Sequence, residues 1–113
     1  MCIEDGKRLV LAFSYYEPGT KRVFKKFEQQ KAQLMNAIEQ RIAQEWARDF
    51  AQTKRATHKS FQGKTIRECR VNAGTLPAFR VAFVLEQAAV QVLFISTQIQ
   101  KSDFTHDLDA LLS

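Results

Sequence analysis

Two alternating apolar runs, Phe79 to Leu85 (FRVAFVL) and Ala89 to Ser96 (AVQVLFIS), separated by only Glu86 to Ala88, constrain this chain more than any other feature. Side chains alternate between the faces of a strand, so Phe79, Val81, Phe83 and Leu85 share one face while Arg80, Ala82 and Val84 take the other. The run IRECRV at 66 to 71 obeys the same rule, with Cys69 and Val71 inward and Glu68 and Arg70 outward. If the three runs are antiparallel neighbours, Arg70 and Arg80 share one face of a small sheet, where two guanidiniums can hold a phosphate bidentately.

A chain of 113 residues forms one domain, here 1–113, and buries roughly two-thirds of the surface it exposes unfolded. Its 45% hydrophobic and 26% charged residues exclude a disordered protein. The formal charge of +5 favours nucleic acid or an acidic partner, and its distribution sharpens that expectation. Lys54, Arg55, Lys59, Lys64, Arg67 and Arg70 stand against Glu68 alone, whereas only acids follow Lys101: Asp103, Asp107 and Asp109. Cys2 and Cys69 lie far apart and read as free thiols of a reducing compartment. Glu4, Asp5, Lys7 and Arg8 precede any apolar run, unlike a signal peptide, and no run has the length of a membrane span. The expected location is the cytoplasm, without membrane contact.

Arg8 to Tyr16 (RLVLAFSYY) reads as a first strand closed by Pro18 and Gly19, with Thr20 placed to cap a helix. Phe24, Phe27, Leu34, Met35, Ile38, Ile42, Trp46 and Phe50 then recur at helical spacing. That rhythm slips across EQQKAQ, which predicts a helical hairpin broken near Glu28 to Lys31. Ala51 to Lys64 is polar and without period and reads as a loop, Val71 to Pro77 as a hairpin connection, and Asp107 to Leu112 as a short terminal helix with Thr105 as its cap. The fold expected is α+β, a small, mainly antiparallel sheet with an N-terminal helix or helical hairpin packed on one face. Phe24, Phe27, Leu34, Ile38, Ile42, Phe79, Val81 and Phe83 should meet in its core.

The order of elements, with GKTIRECRV at 63 to 71, FRVAFVL at 79 to 85, VLFIS at 92 to 96, Phe13 to Glu17 and Lys25-Lys26-Phe27, resembles the RelE/ParE superfamily of bacterial toxins, closest to its HigB-like, phage-related branch. The resemblance implies a RelE-like fold and the toxin of a type II toxin-antitoxin system: a ribosome-dependent mRNA endoribonuclease without cofactor. Its partners would be mRNA on the ribosome and an antitoxin protein encoded next to it, with a homodimer as an open option. Carried over residue by residue, Arg70 and Arg80 would contact the scissile phosphate. Where this branch usually has a Lys-Lys-x-x-Lys-Thr type segment, the chain has STQIQKSD, leaving Lys101 as the sole cation, and Thr105 or His106 stands nearest the position of a proton-transfer group.

Cleavage through the 2′-hydroxyl needs a proton acceptor, cations for the phosphorane and a proton for the leaving oxygen. Arginine suits only the second need. Arg70, Arg80, Lys101 and His106 are therefore the candidate catalytic set, with Lys54, Arg55, Lys59, Lys64 and Arg67 as RNA-binding residues. The plain alternatives are an Arg80 or Arg70 that is solvated or paired with Glu68, a solvated His58 and a His106 merely exposed at a helix start. Most of the nine Phe read as core, while Tyr15, Tyr16 and Phe61 are freer. No metal-ligand spacing is present. The functional alternative is a non-catalytic member of the fold, either a ParE-like gyrase poison or an inactive phage-derived binding protein.

Overall fold

The computed structural model describes residues 11–50 and 53–113. Strand β1 (Ala12–Tyr15) leads into α1 (Glu17–Lys26), a single 3-10 turn (Glu28–Gln30) and α2 (Lys31–Ala47), then β2 (Lys54–Phe61), β3 (Lys64–Val71), β4 (Phe79–Glu86), β5 (Ala89–Ser96) and α3 (Lys101–Leu112). The five strands form one sheet in the order β1-β5-β4-β3-β2, antiparallel throughout except for the parallel pair β1 and β5. The α+β class with a mainly antiparallel sheet follows directly.

The helical segment breaks where the apolar rhythm slips, between Lys26 and Lys31. Val23 of α1 and Leu34, Ile38 and Ile42 of α2 lie on one face of the sheet against Cys69, Val71, Phe79, Val81, Phe83, Val90, Val92 and Ile95, with Phe24 and Phe27 half-buried at the margin. The start of α1 departs from expectation. Pro18 and Gly19 are not punctuation but the first helical turn, where a missing N–H costs nothing. Gly19 is required there, since a Cβ at this position would run into the Leu93 carbonyl of β5. Thr20 does not cap; its hydroxyl donates back to the Tyr16 carbonyl at 3.0 Å.

The segment expected as a loop, Ala51 to Lys64, contains β2 instead. It escapes a pattern search because an edge strand needs few apolar residues: only Ala56 and Thr57 are buried, and the Lys-rich outer surface is how edges resist further pairing. Its register against β3 shifts between Arg55 and Ser60, and the hairpin turns through Gln62 (φ 53) and Gly63 (φ 79), the two-residue geometry that matches strand twist. A second irregularity interrupts the alternation of β5. Ala82 pairs with Phe94 and Phe83 with Val92, so Leu93 is an extra residue, and Leu93 and Phe94 both serve the face opposite α1 and α2.

That opposite face is not open, which corrects the expectation of helices on one face only. The sheet coils until its edges meet: Tyr16, just after β1, packs edge-on against Phe61 at the end of β2, ring centroids 5.3 Å apart. Helix α3 fills the coil, with Phe104 and Leu108 fully buried among Ala56, Ile66, Ala82, Val84 and Leu93. It begins at Lys101, six residues before the expected Asp107, so Thr105 lies within the helix and donates to the Ala56 carbonyl at 3.0 Å. Tyr15, too, is packed rather than free, on Phe24 at 5.3 Å with its hydroxyl donating to Glu39 at 2.7 Å. The portion of the expected first strand before Leu11 falls outside the described residues, as does Cys2.

Candidate functional site

Strands β3 and β4 align Cys69 with Val81, Arg70 with Arg80 and Val71 with Phe79. The alternation read from sequence therefore holds: Cys69, Val71, Phe79 and Val81 serve the α1 and α2 face, and Glu68 and Arg80 the α3 face. Arg70 and Arg80 stand directly opposite each other, yet their side chains meet different surroundings. The Arg80 guanidinium donates to the Glu68 carboxylate and twice to the Ile99 carbonyl, at 3.1 and 2.7 Å, and lies 5.9 Å from the Phe104 ring centroid. Arg70 is exposed and lines a depression with Asn72 and, from α2, Ala37, Gln40, Arg41 and Gln44.

Glu68 is the centre of the charged group. It is 1% exposed and receives both Arg80 and Lys101, one on each carboxylate oxygen, while the Lys101 ammonium also donates to the Arg55 carbonyl at 2.9 Å. A carboxylate so buried persists only when paired, and here two cations from different elements share it. The group ties the start of α3 to β2, β3 and β4. Its cations are thereby largely spent on an internal acid.

The other expected site residues spread over several surfaces. Lys54 and Arg55 are exposed on β2, the Arg55 guanidinium donating to the Thr57 and His58 carbonyls at 3.0 and 3.2 Å. Lys59 reaches the end of α3, at the Asp109 carbonyl (3.4 Å) and the Ser113 hydroxyl (3.2 Å). Lys64 pairs with Glu86 at 3.3 Å. Arg67 turns to the other face, over the Phe50 ring at 5.0 Å and against the Thr53 hydroxyl. His106 is exposed on α3, and no contact described here links it to Glu68, Arg80 or Lys101.

Sequence reasoning missed Arg41 and Glu45 on α2. Their side chains pair at 3.3 Å, Glu45 being 1% exposed, and the Arg41 Nε is buried without a hydrogen-bond acceptor. The only sequence signal is their i, i+4 spacing, which exposed helical pairs share. Burial pushes the neighbouring Cys69 thiol up to about 11, with the Arg41 charge opposing and Glu45 adding, so it is a packed thiol and not a nucleophile. Among the described residues no group of His, Cys, Asp and Glu is arranged to hold a metal ion, and no helix is long and apolar enough to cross a membrane.

Comparison with protein-family models, with curated proteins and with solved structures yields no match to this chain.

Proposed function

We propose that this is a nucleic-acid-binding domain of the RelE/ParE toxin kind that grips an RNA backbone along the outer edge of its sheet, and that it acts by binding rather than by cleavage. The carrying observation is the surface of β2. Lys54, Arg55, His58, Lys59 and Ser60 are all exposed there, and the acids packed near them are already engaged, Glu68 by Arg80 and Lys101 and Asp109 by the Thr57 hydroxyl. Glu68 is neutralised by its two cations, while Asp109, held by a neutral hydroxyl, keeps its charge; Lys54, Arg55 and Lys59 outweigh that carboxylate, and the net positive edge is what phosphate contacts need.

Two observations favour binding over cleavage. The coiled face, where the resemblance would put mRNA, is filled by α3, and Arg80 and Lys101 already neutralise Glu68. The endoribonuclease reading keeps one specific support, the direct opposition of Arg70 and Arg80, and requires Arg80 to leave Glu68 for a phosphate. Both readings carry the same partners as expectations: RNA in the cytoplasm and an acidic antitoxin from an adjacent gene, masking the cationic edge by charge complementarity.

Binding of a short single-stranded RNA, followed against salt, tests the proposal. The K54A/R55A/K59A variant should lose affinity and flatten the logarithmic salt slope by about 2, three contacts at roughly 0.7 each for single strands. Unchanged affinity and slope in that folded variant defeats the edge. Primer extension on a reporter mRNA after induced expression separates the readings: intact message with growth arrest supports binding, and codon-phased cuts establish cleavage.

A further inference from the structure

The described pairing of β2 with β3 begins at Lys54 and Glu68, and Arg70 lies two residues farther along β3. At Arg70 lies a depression of about 210 Å³ between α2 and β3, lined by Arg41, Arg70, Gln40, Gln44, Asn72 and Ala37. Two guanidiniums and three carboxamides supply N–H donors from two elements, and no carboxylate lines the space. The Arg41 Nε is buried and has no acceptor, a condition that costs a charged donor more than a neutral one. Glu45 balances Arg41 from the interior, and among the described residues no acid is paired with Arg70.

We propose that this depression is an oxyanion subsite for a phosphate group, with Arg41 and Arg70 as its charged arms and Asn72, Gln40 and Gln44 as neutral donors. Donors this numerous exceed what the two oxygens of a carboxylate accept and suit the three or four of a phosphate, for which paired arginines are the preferred partners. The volume holds one phosphate group and little more of its bearer. The phosphate could belong to a free monoester or to a nucleic-acid backbone, which the experiment distinguishes. The subsite does not depend on RNA binding; if RNA follows β2, this is where a strand leaving the Lys54 end would seat its next phosphate.

The test is titration of the full-length protein with inorganic phosphate, observed through the arginine Nε–H and the Asn and Gln side-chain amide signals in 1H–15N NMR spectra. Arg41 and Arg70 should shift in a saturable way together with Asn72, Gln40 and Gln44, while Arg22 and Arg55 move little. Arg70→Ala, at an exposed position, should weaken binding about tenfold, the scale of one lost charge-assisted contact. Because Arg41→Ala would strand buried Glu45, Arg41→Lys is the second variant; it keeps the charge, removes the Nε–H and should weaken binding several-fold. Non-saturating shifts spread over all basic residues, or undiminished binding in Arg70→Ala, overturn the subsite. A short uridine oligonucleotide supplies the second arm: if it moves the same five side chains along with Lys54 and Arg55, the phosphate comes from a backbone. If only inorganic phosphate or a phosphomonoester moves them, the subsite takes a small molecule. RNA binding through β2 with these five side chains still in both titrations would sink the subsite and leave the edge proposal standing, and saturable shifts of the five with inorganic phosphate but no RNA binding would do the opposite.

Discussion

The α1 and α2 face of the sheet is closed by large apolar side chains meeting in depth, Leu34, Ile38 and Ile42 against Phe79, Val81 and Phe83, all fully buried. The α3 face uses smaller partners, Ala56, Ala82 and Val84, and completes its seal with polar groups: Glu68 with Arg80 and Lys101 at one end of α3 and Thr57 with Asp109 farther along. The first face derives its stability from area removed from water, which has no directional requirement. The second depends on charge pairs and hydrogen bonds that hold only at one position of the helix. The same sheet thus has one side built to stay shut and one whose cover is fixed by specific contacts.

Four measurements can break or sharpen that contrast. Phe83→Ala, deep in the first face, should cost about 3–5 kcal/mol of unfolding free energy by chemical denaturation. Phe104→Ala should cost near 3 kcal/mol, because α3 can lift off without unfolding the sheet; amide exchange should then quicken along α3 while β3 and β4 stay protected. If both regions lose protection together, the two faces are one cooperative unit. Glu68→Gln keeps the volume and removes the shared charge. Lys101, 46% exposed, can return to water, but Arg80, 19% exposed, loses its counter-charge and keeps the Ile99 carbonyl, so the loss should be about 2 kcal/mol. Smallest is a pH effect on the first face: with the Cys69 thiol raised from 9.0 to about 11, the native state holds that proton longer than the unfolded chain. Its contribution to stability is present below pH 9 and lost as pH rises through 11, so Cys69→Ala should flatten the alkaline fall in stability over that window.

Apolar period made the first face legible in sequence. The stripe from Val23 to Ile42 and the inward set Phe79, Val81 and Phe83 have one partner each to find, and even the break before Lys31 announced itself as a slipped rhythm. The α3 face was harder for identifiable reasons. Lys101 to Asp103 look like loop because the first helical turn is polar, and Gln100 offers no side-chain cap to mark it. Strand β2 hides because its outward residues face water and its register shifts midway. At the candidate site, alternation with an assumed antiparallel pairing put Arg70 and Arg80 on one face; the register does set them opposite each other, but Arg70 lies beside α2 and Arg80 on Glu68, a divergence that alternation does not carry. Nor does it carry the capture of Arg80 and Lys101 by Glu68, which joins residues from separate elements, and Arg41 enters only through the packing of α2 against the end of β3.

The parallel pairing of β1 with β5 has a consequence for how the molecule comes into being. Ala12 lies beside Ala89 and Tyr15 beside Val92, so β1 has its template in a strand made only after α1, α2 and three other strands. Until β5 is synthesised, β1 has no neighbour to complete its ladder, while α1, α2 and the hairpins can begin to collapse on contacts closer in sequence. Closure of the sheet edge is therefore the late, long-range step, and Gly19 falls within it, because α1 settles against Leu93 of that same last strand. Of the described strands, the one made first is the one that must wait longest for its place.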